Sequence, residues 1–125
     1  MEYSSEVVRR FDSPEGAGEL PRGTSGLVSG EAEDRTLQVW IRFQLQVTDG
    51  IIHCVRFRVF GCPHTVAAAS RVAEWLTDRS VESARTLDIR ALGAELDVPV
   101  EKLGKLLRIE DALERCLKEL ERTDV

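Results

Sequence analysis

Between positions 37 and 48, apolar and polar residues alternate one by one. A period of two places one set of side chains on each face of a β-strand. We therefore predict a long strand over about 36–48 and, after an Asp49-Gly50 turn, an antiparallel return strand over 51–60. The apolar face should hold Leu37, Val39, Ile41, Phe43, Leu45, Val47, Val55, Phe57 and Val59, with His53 near that face at its edge.

Elsewhere in the chain the apolar residues recur with helical spacing. A short amphipathic helix is predicted over 4–11, and a Gly- and Pro-rich loop, extended by the charged run 31–35, separates it from the strands. Pro63 is suited to begin a helix, Asp88 to cap a short one, and a last helix is predicted over about 101–122. Strands followed by helices indicate an α+β fold, an antiparallel meander sheet with helices packed on one face.

Composition narrows the class of protein. A chain of 125 residues, 42% hydrophobic and 31% charged, is expected to fold as one globular domain over 1–125. A net charge of −5 argues against broad binding to nucleic acid or to an anionic membrane. No apolar run approaches the roughly 20 residues that cross a bilayer, and no secretion signal is seen, so a cytoplasmic location is expected.

Cys62 is the residue best placed for chemistry. It follows Phe60-Gly61 at the end of the return strand and directly precedes Pro63, which makes it the expected N-cap of a helix. The unpaired N–H groups and the positive end of the helix dipole favour a thiolate there. A thiolate binds metal or attacks a persulfide, and His64 could add an imidazole. The alternative is a small buried thiol.

The other candidate groups have simpler interpretations. Cys54 is expected to be a surface thiol, Cys116 a core residue of the last helix, and His53 an edge residue of the hairpin. The cluster Glu31-Ala32-Glu33-Asp34 could ligate a hard cation, but a solvated loop is the simpler interpretation. Three widely spaced cysteines and two histidines suggest neither a disulfide framework nor a Ser/His/Asp triad, so no enzyme is expected.

Motifs along nearly the whole chain match one known family in order and spacing. The chain opens with Tyr3-Ser4, a Phe, a Pro and a Gly-x-Leu, and the strand-to-helix turn reads Phe60-Gly61-Cys62. The matching segments are 3–20, 49–52, 55–62, 67–70, 74–76, 80–84, 88–89 and 110–113. On these residues the chain resembles the NifU/IscU-type iron–sulfur cluster assembly scaffold family, as a divergent NifU N-terminal-like domain.

The resemblance implies a SufE/NifU-like α+β scaffold that assembles a [2Fe–2S] cluster, or takes up zinc, on three Cys and an Asp. It also implies a cysteine desulfurase as sulfur donor, and cluster-assembly or chaperone proteins as further partners. Only Cys62 of the three ligand cysteines is carried over. The first ligand region reads Glu31-Ala32-Glu33-Asp34-Arg35, where Asp34 is the candidate Asp ligand, and the third reads Leu103-Gly104-Lys105-Leu106. Cys62, Asp34 and His64 are therefore the candidate metal ligands.

Three functions stay open at this point. The chain is a scaffold-like protein of cluster assembly, a metal-free adaptor for a desulfurase or chaperone, or a sulfur relay through Cys62 alone. Iron–sulfur clusters need soft thiolates and four-coordinate sites need four donors. We therefore predict that the isolated monomer holds no stable [2Fe–2S] cluster. A homodimer, a partner protein or a small thiol would have to complete the site.

Overall fold

A three-stranded antiparallel sheet in the order β1-β2-β3 is the centre of the structure, a computed structural model that describes residues 3–123. The strands are β1 (Leu27–Asp34), β2 (Val39–Thr48) and β3 (Ile51–Phe60). The helices are α1 (Ser5–Asp12) before the sheet and, after it, α2 (Pro63–Leu76), α3 (Val81–Ala84), α4 (Ile89–Glu95) and α5 (Leu103–Thr123), with a 3₁₀ turn at Val100–Lys102. The predicted α+β meander with helices on one face is confirmed.

The alternation along β2 sets which face of the sheet is buried. The apolar positions of this strand are buried and the polar positions between them are half-buried. Helix α5 packs across β1 and β2, α2 packs against β3, and α1 and α4 pack on α2 and α5 respectively. On the opposite face, the loop before β1 approaches the sheet where the Leu20 N–H donates to Gln44 Oε1 at 2.7 Å.

Residues 27–34 form strand β1, although the sequence analysis placed them in a loop. It pairs with β2 from Leu27 opposite Gln46 to Asp34 opposite Val39. Its inward positions carry small side chains, Val28, Gly30 and Ala32, so its alternation is weak. A Cβ atom at Gly30 would lie 2.5 Å from backbone atoms of α5. The small residues that obscure the strand in the sequence are therefore those that let the helix approach.

The start of β2 also differs from the prediction. The strand begins at Val39 rather than near 36, because residues 35–38 form the turn from β1. Gln38 has a positive φ of 55°, and the Leu37 N–H donates to Asp34 Oδ1 at 3.0 Å. Leu37 is consequently half-buried instead of buried.

A β-bulge changes the side-chain parity at the start of β3. Gln46 pairs with Cys54, but Val47 pairs with Ile52, so His53 is an extra residue on β3. Ile52 is buried and His53 is exposed, which is the reverse of the parity expected for an uninterrupted strand. The prediction that His53 lies near the inner face is therefore wrong.

Helix α1 is fastened to α2 by a buried arginine. The Arg10 guanidinium donates to Glu6 at 2.7 Å, to Glu74 at 2.8 Å and to Ser70 Oγ at 3.3 Å. Ser4 caps α1, and its hydroxyl also donates to the Leu96 carbonyl at 3.0 Å. Within residues 3–123, no helix combines the length and apolar character needed to cross a membrane.

Candidate functional site

Cys62 lies where β3 ends and α2 begins, and it is the N-cap of α2 as predicted. Its backbone is extended (φ −81°, ψ 168°), and its carbonyl accepts the N–H groups of Thr65 at 2.9 Å and Val66 at 3.2 Å. Sγ lies 3.5 Å from Thr65 Oγ1. The N–H groups of His64 and Thr65 face Sγ without reaching the geometry of a capping hydrogen bond. The sulfur therefore faces the electropositive first turn of the helix.

The surroundings of Cys62 favour the thiolate. Partial burial raises the pKa of this thiol, but several groups outweigh that effect. They are the Thr65 hydroxyl, the N–H groups of Thr65 and His64, and the Lys105 ammonium group. The pKa of Cys62 is lowered as a result. Because Lys105 belongs to the first turn of α5, the thiolate is stabilised by two helices that are distant in sequence.

His64 is buried beside this turn rather than exposed to an incoming ion. It is 1% exposed, and its ring packs against Tyr3 with 4.7 Å between ring centroids. Burial, with added repulsion from Lys102 and Lys105, lowers the pKa of His64, so the imidazole is neutral near pH 7. Within residues 3–123 its Nδ1 atom has no hydrogen-bond partner.

Asp34, the third predicted ligand, is engaged by other groups. Its Oδ1 accepts the Leu37 N–H, and its Oδ2 lies 3.8 Å from Nη1 of Arg108 on α5. Across residues 3–123, no three His, Cys, Asp or Glu side chains are grouped so that they could hold a metal ion. The structure thus does not assemble Cys62, Asp34 and His64 into a three-ligand site within one chain.

Three chain segments meet near Cys62, and we call residues 35–38, 60–62 and 103–105 together the turn end. A Cβ atom at Gly104 would lie 3.3 Å from Leu37 Cδ1, which places the β1–β2 turn against the start of α5. Lys105 is close enough to Cys62 to lower its pKa. No local pattern indicates that Leu37 or Arg108 belongs to this region, because both contacts join residues far apart in the chain.

The remaining cysteines have different surroundings. Cys116 is buried as predicted, its Sγ donates to the Phe43 carbonyl at 3.3 Å, and burial raises its pKa to about 12. Cys54 is half-buried on the face of β3 opposite to the helices, across from Gln46. All three thiols are free. Cys62 therefore combines partial access with a lowered pKa.

Known proteins resemble this chain along most of its length. The family model of the NifU-like N terminal domain matches residues 2–125. The iron-sulfur cluster assembly scaffold protein IscU of Escherichia coli (strain K12) is 27% identical over 118 residues, covering 94% of this chain and 92% of that protein. IscU of Rickettsia prowazekii (strain Madrid E) is 30% identical over 118 residues, covering 94% and 90%.

Solved structures share the architecture at low sequence identity. A nitrogen-fixing NifU-like protein (N-terminal) from Brucella abortus has a TM-score of 0.75 and 14% identity, covering 95% of this chain and 94% of that one. A putative iron-sulfur cluster assembly scaffold protein for the SUF system from Fervidobacterium islandicum AW-1 has a TM-score of 0.70 and 15% identity, covering 92% and 96%. At this low sequence identity, these two structural similarities are evidence for the fold alone.

Proposed function

The chain belongs to the NifU-like N terminal domain family, and from this premise we propose that it works in iron–sulfur cluster assembly as a scaffold-type protein whose working thiol is Cys62. In this role it carries iron and sulfur for other proteins and catalyses no reaction of its own. A cysteine desulfurase supplies the sulfur, and further assembly or chaperone proteins receive the product.

The observation that carries the proposal is the position of Cys62. It is the N-cap of α2, beside Thr65 and Lys105, and its pKa is lowered. The thiolate is the form of cysteine that binds iron or attacks sulfur, so Cys62 is prepared for either step near neutral pH. Cys116 is buried and its pKa is raised, which makes it unsuited to the same work.

The residues around Cys62 do not fit a cluster, or a zinc ion, held by one chain alone. Four donors are needed, and clusters of this type need thiolates. Asp34 is paired with Arg108, and Lys105 adds a positive charge that repels a cation. We therefore propose that the cargo is held on Cys62 with donors from outside the chain: a second copy, a partner protein or a small thiol.

Anaerobic reconstitution tests this proposal. The full chain is incubated with ferrous iron, sulfide and glutathione, and then bound iron, bound sulfide and visible absorption are measured. We expect loading that is lost in Cys62→Ser and retained in the matched control Cys54→Ser. Without glutathione, we expect no stoichiometric cluster in the monomeric fraction. Equal loading of Cys62→Ser and the unmodified chain would contradict the role of Cys62.

A sulfur relay is the second candidate, and the Lys105 ammonium group beside Cys62 favours it because that group stabilises an anionic sulfur. The Cys62 thiolate attacks the outer sulfur of a desulfurase persulfide. The S–S bond of the donor breaks, a new S–S bond forms at Cys62, and the donor cysteine leaves as a thiolate. Intact-mass analysis after incubation with a cysteine desulfurase and free cysteine should show the addition of one sulfur atom. That addition should be absent in Cys62→Ser.

A further inference from the structure

His64 carries a buried nitrogen atom that the fold leaves without a partner. The residue is 1% exposed, and within residues 3–123 its Nδ1 atom neither donates nor accepts a hydrogen bond. A buried polar atom without a partner costs free energy, so its retention requires a reason. When the imidazole proton is on Nε2, Nδ1 presents a lone pair, which is the group that a metal ion binds.

His64 and Cys62 belong to the same turn of the chain. His64 follows Cys62 by two residues at the start of α2, so their Cα atoms are at most about 7 Å apart. The Lys105 ammonium group acts on both the Cys62 thiol and the His64 imidazole, so both groups lie near the start of α5. Thiolate sulfur and imidazole nitrogen are both donors that Fe²⁺ and Zn²⁺ accept.

An aromatic ring packs against the imidazole. The centroid of the Tyr3 ring lies 4.7 Å from that of His64, with an angle of 59° between the ring planes. Tyr3 is 38% exposed, and within residues 3–123 its hydroxyl group has no hydrogen-bond partner. The next residue, Ser4, is fixed by the hydrogen bond from its hydroxyl to the Leu96 carbonyl. Rotation of the Tyr3 side chain can therefore uncover His64 while α1 stays in place.

We propose that Tyr3 is a gate over a reserve ligand: when its ring moves aside, the His64 imidazole joins the Cys62 thiolate in holding a divalent cargo ion such as Fe²⁺. With the gate closed, the chain offers Cys62 without the imidazole. With the gate open it offers two donors, and a partner protein or small thiols supply the remaining donors of a four-coordinate site. This inference rests on the proposed function, in which Cys62 holds the cargo.

The charges around the two donors set how strongly a bare ion binds. Lys102 and Lys105 both act on the His64 imidazole as positive charges, and Glu101 acts on it with the opposite sign. The Cys62 thiolate provides the negative charge that attracts the ion, and a neutral imidazole adds a nitrogen donor without cancelling that charge. We therefore expect weak binding while the gate is closed and tighter binding once His64 is uncovered.

Titration of the full apo chain with Co²⁺, anaerobically and with a phosphine reductant, tests the gate. No sulfide or glutathione is added, and the absorption of the thiolate–cobalt bond reports both binding at Cys62 and its affinity. Tyr3→Ala should bind Co²⁺ severalfold more tightly than the unmodified chain, and adding His64→Gln to that variant should abolish the gain. Two matched controls should bind as the unmodified chain does: Phe11→Ala, which removes a 46% exposed ring from α1, and His53→Gln, which removes an exposed imidazole from β3. Circular dichroism establishes that each variant folds.

Heteronuclear NMR of the imidazole nitrogens observes His64 directly and needs no substitution at this buried residue. Diamagnetic Zn²⁺ is added to the unmodified chain and to Tyr3→Ala. We expect the Nδ1 signal of His64 to shift, and to shift further in Tyr3→Ala, while the signals of His53 stay unchanged. The gate is overturned if Tyr3→Ala binds Co²⁺ no more tightly than the unmodified chain, or if the signals of His64 do not respond to Zn²⁺.

The failure of the gate and the failure of the proposed function give different results. If Co²⁺ binds through Cys62 with equal affinity in Tyr3→Ala and in the unmodified chain, the gate is contradicted and the role of Cys62 remains. If Cys62→Ser binds Co²⁺ and takes up iron and sulfide as well as the unmodified chain does, the proposed function is contradicted, and the gate with it.

Discussion

Cys116 and Cys62 are identical side chains that the fold treats in opposite ways. Cys116 is buried between α5 and β2, its thiol donates to the Phe43 carbonyl, and burial raises its pKa to about 12. Cys62 is half-buried at a helix N-terminus near Lys105, and its pKa is lowered. Close packing thus keeps the first thiol inert, whereas helix N–H groups and a distant lysine activate the second.

The comparison extends from the two thiols to their regions. Around Cys116 the packing is tight, and at Gly30 there is no space for even a Cβ atom. At the turn end, by contrast, Lys105 occupies one of the ligand regions implied by the resemblance, and Arg108 pairs with Asp34, yet the fold is retained. The core therefore tolerates little change in side-chain volume, whereas the turn end accepts different side chains in its ligand regions without loss of the fold.

The largest predicted effect is the difference in reactivity between the two thiols. One pKa unit changes the thiolate fraction tenfold, so a pKa of about 12 for Cys116 and a lowered pKa for Cys62 predict native alkylation rates that differ by more than about a thousandfold near pH 7. Iodoacetamide labelling across pH with peptide mass analysis measures both in one sample. Equal labelling of Cys62 and Cys116 in the native chain would contradict this prediction. After unfolding in denaturant, the alkylation rates of the two thiols should converge.

The second prediction concerns aromatic residues in the two regions. Phe43→Ala should lower the free energy of unfolding by about 3–5 kcal/mol, because a completely buried ring leaves a cavity. The same change at Phe60, which is mostly exposed, should cost less than about 0.5 kcal/mol. Urea unfolding of dilute protein gives both values. Similar midpoints for the two variants would mean that Phe43 is not part of the core.

The third prediction compares Gly30, which packs against α5, with Gly104, which lies within α5. Gly30→Ala should destabilise the chain by about 1–3 kcal/mol, because the new Cβ atom meets the α5 backbone at 2.5 Å. Gly104→Ala should be neutral or slightly stabilising, since the new methyl meets only a flexible Leu37 side chain and alanine favours a helix. Thermal unfolding compares them, and a stable Gly30→Ala variant would mean that α5 can move away from β1.

The smallest predicted effect comes from the lysine near Cys62. Lys105→Gln should raise the pKa of Cys62 and slow its alkylation near neutral pH by less than about tenfold, since the helix N–H groups and Thr65 remain. The matched control is Lys118→Gln, further along α5, where the lysine pairs with Glu114. Both variants are assayed by iodoacetamide labelling across pH. If they give the same profile as the unmodified chain, Lys105 does not stabilise the thiolate.

The sequence predicted those parts of the fold that depend on neighbouring residues. Strands β2 and β3 followed from alternation, and Cys62 as N-cap followed from Pro63. Strand β1 was missed because Gly30 and Ala32 carry almost no hydrophobic signal. The parity of His53 was wrong because a bulge leaves no mark in a single sequence. The pairing of Asp34 with α5 could not be predicted, because nothing local indicates which helix lies beside a strand.

The contact between β1 and α5 has a consequence for the order of folding. The Arg115 side chain donates to the Glu31 carbonyl across 84 positions of the chain, so this contact cannot form until α5 has been synthesised. Until then the inner faces of β1 and β2 stay uncovered on the ribosome and are open to aggregation. The same helix brings Lys105 to Cys62, so the contribution of Lys105 to the lowered pKa of this thiol arises only when the last part of the core closes. In a nascent chain that lacks α5, the thiolate of Cys62 is therefore stabilised by α2 alone, and its full reactivity appears together with the finished fold.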